Sequence, residues 1–234
     1  MIEFLEETGS TNSDLLDRIK SGERVAEGDW LVARRQTAGR GRQRREWFDG
    51  EGNFMGSTVV HYTDRDPPAH TLALASGLVV YEAILPLCPD PAQLMLKWPN
   101  DVLLNLAKLC GILLETAGNA IVIGMGVNLA KAPQIQGRAT IALSEVTKAP
   151  QADEFAEELA DCFSAELERW RSYGVDPLLR RWCTAAHPQG TPLKVHDSDG
   201  SAIAGQFDGL SEDGSLMLRL DNGETRAINA GDVR

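Results

Sequence analysis

Residues 34–48 read Arg34-Arg35-Gln36-Thr37-Ala38-Gly39-Arg40-Gly41-Arg42-Gln43-Arg44-Arg45-Glu46-Trp47-Phe48. Six arginines fall between positions 34 and 45 with no acid among them, in a 234-residue chain whose formal net charge is −11. Like charges packed this closely repel one another. Such a stretch belongs on a loop outside the core, and the usual compensation is an anion. Gly39 and Gly41 permit positive φ and close approach of the backbone to a ligand, and successive N–H groups can then form an anion-binding nest. Arginine adds planar, bidentate donors suited to phosphate or carboxylate, and Gln36 supplies a neutral amide at the edge. Taken alone, the stretch also fits a solvated basic loop or a nucleic-acid patch.

The acidic balance of the whole chain argues against bulk nucleic-acid or membrane-surface binding, both of which rely on positive fields. With 43% hydrophobic residues, a chain of this length can bury a full core, as one domain or as a larger domain plus a small one. The start, MIEFLEETGS, has no basic n-region and no long apolar run, so no signal peptide is expected. No segment approaches the roughly 18 continuous apolar residues of a membrane helix. Cys88, Cys110, Cys162 and Cys183 are widely spaced without a CxxC pair, which suggests buried thiols rather than a zinc site or disulfides. A cytoplasmic protein with reduced thiols fits best, and no set of metal ligands is legible.

In chain order, Ile2 to Leu5 reads as a short strand. Ser10, Thr11 and Asn12 are helix N-cap types, followed by Leu15, Leu16 and Ile19 at helical spacing and Gly22 as a stop. Three small polar side chains at a helix start also suit a polar ligand. Trp30–Ala33 is a strand delivering the arginine loop, and Phe54–His61 is the next strand. Thr71–Leu85, apolar on most sides, predicts a largely buried helix. Leu94–Lys97 and Val102–Leu104 are strands flanking a Pro-Asn-Asp turn, and Lys108–Glu115 is the strand after them. Lys97, Asp101 and Lys108 are thus either surface residues or a polar site over a sheet. Ile121–Leu129 is a buried strand ending in a glycine-rich bend, but its third dinucleotide-fingerprint glycine is missing, so a Rossmann site is rejected. Residues 131–150 read as irregular. Asp153–Arg171 is an amphipathic helix, and Asp176 caps another with Pro177 at its first position, running to about His187. Beyond Pro188, short β-type runs separated by Asp199-Gly200, Asp213-Gly214 and Asn222-Gly223 predict a small antiparallel barrel.

Four stretches together resemble the biotin–protein ligases, in the family's order: Gly9-Ser10-Thr11-Asn12; Gln36 through Gly39-Arg40-Gly41-Arg42 to Trp47; Lys97-Trp98-Pro99-Asn100-Asp101 with Lys108-Leu109-Cys110-Gly111; and Gly124-Met125-Gly126-Val127-Asn128. The resemblance covers nearly the whole chain. It implies an α+β fold: a central mixed β-sheet with helices packed on one side (the class II synthetase-like, biotin–lipoate ligase catalytic fold) in residues 1–187, and a small C-terminal SH3-like β-barrel in 188–234. The implied reaction joins biotin and ATP, with magnesium, into biotinyl-5′-AMP. Biotin then passes to a lysine of a biotin carboxyl carrier domain of acetyl-CoA carboxylase or a related carboxylase.

The same resemblance implies roles. Ser10, Thr11, Gln36 and Arg40 match positions that hold the biotin head group, and Asn12 completes that motif. Gly39, Gly41, Arg42 and Trp47 belong to the loop over the adenylate. Lys108, beside Gly111, matches the lysine bridging biotin carboxylate and phosphate; Arg42 and Lys97 add to the phosphate field. Asn100 and Asn128 are expected near adenine and ribose, and Asp101 near the acceptor lysine or a metal. Arg44 departs from the pattern, standing where the family's loop commonly has a third glycine. A positive φ there would cost stability. With eight residues before Gly9, the short form is expected, without the DNA-binding helix-turn-helix of some members, as monomer or homodimer. The competing readings are a lipoate–protein ligase of the same fold and an arginine-rich nucleic-acid-binding module.

Overall fold

Ile2–Leu5 (β1) is followed by Thr11–Lys20 (α1), which ends where Gly22 takes φ +84°. The chain continues through Trp30–Ala33 (β2), Phe54–His61 (β3), Leu72–Ile84 (α2), Leu94–Lys97 (β4), Asp101–Leu104 (β5), Ala107–Ala117 (β6) and Ala120–Val127 (β7). Then come Ala152–Tyr173 (α3), Val175–Ala185 (α4), Pro192–His196 (β8), Ala202–Leu210 (β9), Leu216–Arg219 (β10), Thr225–Ile228 (β11) and Asp232–Val233 (β12). The structure, a computed structural model, describes residues 1–196 and 201–233, with the side chains of Arg44 and Asp232 outside that description.

The first seven strands form one sheet in the order β1-β2-β3-β7-β6-β5-β4. β1 and β2 run parallel and every other neighbouring pair antiparallel, so the sheet is mixed. Alternation along β7 assigns its two faces. Ile121, Ile123, Met125 and Val127 join the main core with residues of α2, α3 and α4, whereas Val122 joins a smaller cluster with Leu15 and Leu16 of α1, Leu31 and Val59. Helices therefore cover both faces, not one: α2, α3 and α4 on the first, α1 alone on the second. Burying Leu15 and Leu16 contributes roughly 1.5–3 kcal/mol each to holding α1 there. With ten residues, α1 is only about 15 Å long. Past it the second face carries small residues, Ser57, Gly111, Gly124 and Gly126, and a cleft opens over them.

α2 lies between the sheet and helices α3 and α4. That position explains its apolar surface all round. Against the expectation from sequence, Ala69–Leu87 is long and apolar enough by composition to cross a membrane, but most of the segment is buried inside the fold. α4 begins one residue before the expected cap. Gly174, at φ +73°, is its N-cap, and Asp176 sits in the first turn. All four cysteines are free thiols, and burial pushes the Cys110 thiol far above its ordinary range.

The C-terminal strands form an antiparallel sheet, β11-β10-β9-β8-β12, the SH3-like module. Gly214 and Gly223 take φ +83° and +84° at two of the expected hairpin turns, while Asp199-Gly200 lies outside the described residues. The two short runs expected at 202–203 and 206–207 are one strand, β9. The module is fastened to the large sheet through the indole of Trp98, which donates to the Gly214 carbonyl at 3.1 Å. His187 adds an edge-on contact with Phe207, at 6.5 Å between ring centroids.

Candidate active site

The cleft on the α1 face has a volume of about 1120 Å³, large for a single small ligand. One end is neutral and polar. Ser10 occupies the N-cap of α1 but makes no capping bond with its side chain. The cap comes from across the chain instead, because the Thr11 N–H donates to Gln36 Oε1 at 2.8 Å. Thr11 Oγ1 lies 2.7 Å from Ser57 Oγ, and Ser57 Oγ donates to Asn12 Oδ1 at 2.6 Å. Asn12 Nδ2 in turn donates to Glu115 Oε2 at 2.9 Å, and Arg40 pairs with the same carboxylate. A Cβ on Gly124 would stand 2.3 Å from Asn12 Oδ1, so glycine is required for this chain of hydrogen bonds to lie against the sheet.

The middle of the cleft is floored by two glycines paired across strands, Gly111 of β6 and Gly126 of β7. The Trp47 indole lies on them. A Cβ on Gly126 would come within 2.2 Å of it, and one on Gly111 within 2.9 Å. Trp47 Nε1 is buried without a hydrogen-bond partner, and so is Asn128 Oδ1. Both residues line the cleft, and an unsatisfied buried polar group costs about 1–3 kcal/mol. The Asn128 amide is held from behind by the carbonyls of Lys108 and Ile141.

The far end is cationic, and a β-bulge builds it. Val102 pairs with Cys110, but Leu103 pairs with Lys108, so β6 carries one extra residue at Leu109. Leu109 and Cys110 thereby both turn into the main core, and Lys108 turns to the cleft face with Asp101 and Leu103. Lys108 Nζ donates to Asp101 Oδ1 at 2.5 Å, with the two side chains 15% and 9% exposed. The ammonium lies 5.9 Å from the Trp47 ring centroid, in cation–π range. Lys97, opposite Asp101 in the β4–β5 register, lines the same region. Arg42 reaches over it, donating to Asn100 Oδ1 at 2.9 Å and to the Gly231 carbonyl of the C-terminal module at 3.4 Å. Asn100 is fixed by donating to the Ile112 carbonyl.

Residues 4–128 match the Biotin/lipoate A/B protein ligase family, and residues 191–234 match the Biotin protein ligase C terminal domain. The chain is 36% identical to a biotin–[acetyl-CoA-carboxylase] ligase of Paracoccus denitrificans, over 98% of both chains. This chain belongs to the biotin protein ligase family. A ligase of the same name from Mycobacterium tuberculosis is 35% identical over 99% of this chain and 88% of its own. The bifunctional ligase/repressor BirA of Escherichia coli is 34% identical over 91% of this chain and 67% of its own. The biotin protein ligase of Aquifex aeolicus, solved with biotin and ATP, superposes with a TM-score of 0.87 at 27% identity, over 100% of this chain and 97% of that one.

In this family member, one cleft is lined by Ser10, Thr11, Asn12, Gln36, Gly39, Arg40, Gly41, Arg42, Trp47, Lys97, Asn100, Asp101, Lys108, Gly111 and Asn128, all the residues singled out from sequence. Arg34 and Arg35, at the start of the arginine cluster, behave differently. Arg34 pairs with Glu6 and Asp153, and Arg35 with Glu7 and Asp49, so their charge is met by distant acids on the surface. Neither Gly39 nor Gly41 takes the positive φ expected of it. Gly41 is extended at φ −114°, and its N–H donates to the Arg45 carbonyl within a small hairpin closed by Trp47 N–H to Gly39 O. The left-handed residue of this loop is Gln43, at φ 56°. Gly39 serves close approach, since a Cβ there would sit 3.0 Å from the Trp47 carbonyl.

Sequence reading passed over Ser57 and Glu115, whose partners are 45 to 103 residues away. It also passed over residues 133–140, read as irregular. All of them but Gln134 line the cleft, and the segment is stitched to β6 by Lys108 N–H to Ala139 O and Ile141 N–H to Lys108 O.

Proposed function

We propose that this chain activates biotin with ATP and transfers it to a lysine of a biotin carboxyl carrier domain of a carboxylase. The observation that carries the reading is the Lys108–Asp101 pair on the floor of a cleft with one neutral polar end and one cationic end. Biotin has the matching asymmetry, with a neutral ureido ring at one end and a carboxylate at the other. Thr11, Asn12, Gln36 and Ser57 offer donors and acceptors to the ring, and the Trp47 indole lying on Gly111 and Gly126 offers an apolar surface to the rest of the molecule. The carboxylate would then point toward Lys108.

ATP supplies the second anion, and bringing it against a carboxylate costs electrostatic repulsion. Lys108, Lys97 and Arg42 offset that repulsion. One carboxylate oxygen forms a bond to the α-phosphorus, the bond between the α-phosphorus and the bridging oxygen breaks, and pyrophosphate leaves. Charge built up on the equatorial oxygens is what these cations would stabilise. In the second step the lysine amine attacks the acyl carbon, the C–O bond of the mixed anhydride breaks, AMP leaves with that electron pair, and the amine loses a proton. Asp101 stands beside Lys108 in a position to receive it. Mg²⁺ is best treated as part of the ATP substrate. No three His, Cys, Asp or Glu side chains cluster among the described residues, and Asp101 is already paired. That donor set fits an ion held by phosphates and water rather than a protein cage.

Biotin-dependent ATP–pyrophosphate exchange tests the reading, with lipoate as the parallel acid. Exchange with biotin alone is expected, reduced about 10²–10³-fold in Lys108→Ala, as for removal of one transition-state donor. Exchange with lipoate but not biotin would reassign the acid. Full exchange in the folded Lys108→Ala variant would remove Lys108 from the mechanism.

A further inference from the structure

Six large hydrophobic side chains are exposed among the described residues, and three of them, Phe48, Leu106 and Ile135, border the same cleft. Leu106 is the most exposed of the three at 70%. It sits with Asn105 in the two-residue turn between β5 and β6, and both residues are left-handed, at φ 52° and 62°. This is the type I′ arrangement, for which Asn-Gly is the favoured pair. Asn105 conforms. Leu106 puts a branched side chain where the backbone favours glycine, and solvent rather than a core surrounds it. Two local rules are broken with no stabilising return inside the fold, a pattern that points to function.

The turn is also placed where a partner must come. Asp101 opens β5, and Lys108 lies two residues beyond Leu106 on β6, with the pair joined at the cleft floor. An extended lysine spans only about 6 Å from Cα to Nζ. A carrier domain delivering its lysine to this pair must bring its own backbone to the cleft mouth, beside the hairpin tip. We propose that Leu106 is a docking contact for the carrier domain, recognising an apolar surface next to the target lysine. The proposal rests on the two-step reading above.

Leu106→Gly tests it, because it restores the favoured Asn-Gly turn and leaves the fold at least as stable. The expected result is unchanged biotin-dependent pyrophosphate exchange, unchanged transfer from the bound adenylate to hydroxylamine, and a KM for a biotin carboxyl carrier domain raised about tenfold or more, the scale of one buried leucine. An unchanged carrier KM overturns the docking role. A rise in the KM for ATP in the exchange assay also overturns it, assigning Leu106 to the nucleotide instead. If the parent protein shows no exchange with biotin, the two-step reading itself has failed, a result distinct from either of these.

Discussion

Replacing Gly126 by alanine puts the glycine floor to a quantitative test. The added Cβ would stand 2.2, 2.4 and 2.6 Å from Cε2, Cζ2 and Nε1 of Trp47. Ordinary carbon contacts begin near ~3.5 Å, so something must move by more than about 1 Å. β7 is hydrogen-bonded on both sides, to β3 and β6, whereas Trp47 sits on the arginine loop. The indole therefore yields. Uncovering about 100 Å² of it at ~25 cal/mol per Å² amounts to about 2.5 kcal/mol. The other four tryptophans, Trp30, Trp98, Trp170 and Trp182, are all buried, so a red shift of the emission in Gly126→Ala reports Trp47. Urea denaturation reads the loss of stability, and calorimetry should show weaker biotin binding. Trp47→Ala completes a double-mutant cycle. In that background Gly126→Ala should cost less than about 0.5 kcal/mol. Additive costs, or an unshifted emission spectrum, would refute the stacked geometry.

Two further perturbations address the ends of the site. Glu115→Ala leaves the Asn12 amide donor without its partner, a cost of about 1–3 kcal/mol. Biotin affinity by calorimetry should fall, and Glu115→Gln, which keeps an acceptor oxygen, should recover most of it; equal losses in both variants would mean that the charge on Glu115, not the hydrogen bond, matters. His187 is held below its ordinary pKa, first by burial and then by the nearby charge of Lys97. Its unfolded form takes up a proton near pH ~6.5 while the folded form resists, so the unfolded state binds more protons in that window and stability falls as pH drops below it. His187→Phe should flatten this part of a denaturation-versus-pH series, and an unchanged slope would reassign the effect.

Much of the framework was legible because it depends on local periodicity. The strands on either side of Pro99-Asn100, the stripe of α3 and the hairpins at Asp213-Gly214 and Asn222-Gly223 each show in a window of a few residues. What was hidden depends on register or on distant partners. Leu109 and Lys108 look like an ordinary alternation until the bulge places both Leu109 and Cys110 in the core. Gly111 and Gly126 become one floor only once β6 is paired with β7. The charge of Arg34 and Arg35 looked as if it awaited a ligand because Glu6, Glu7, Asp49 and Asp153 are not their sequence neighbours. The second face for α1 was missed because Leu15, Leu16 and Ile19 announce a buried stripe without saying which side of the sheet receives it.

The alternation along β7 also divides labour between inheritance and change. Ile121, Ile123, Met125 and Val127 are tied into the core and have little freedom to vary. Gly124 and Gly126, interleaved with them, face side chains that line the cleft, Asn12 and Trp47. A redesign aimed at a different carboxylic acid can therefore rework every second residue of this strand together with its facing partners Asn12 and Trp47, while the intervening residues keep the fold.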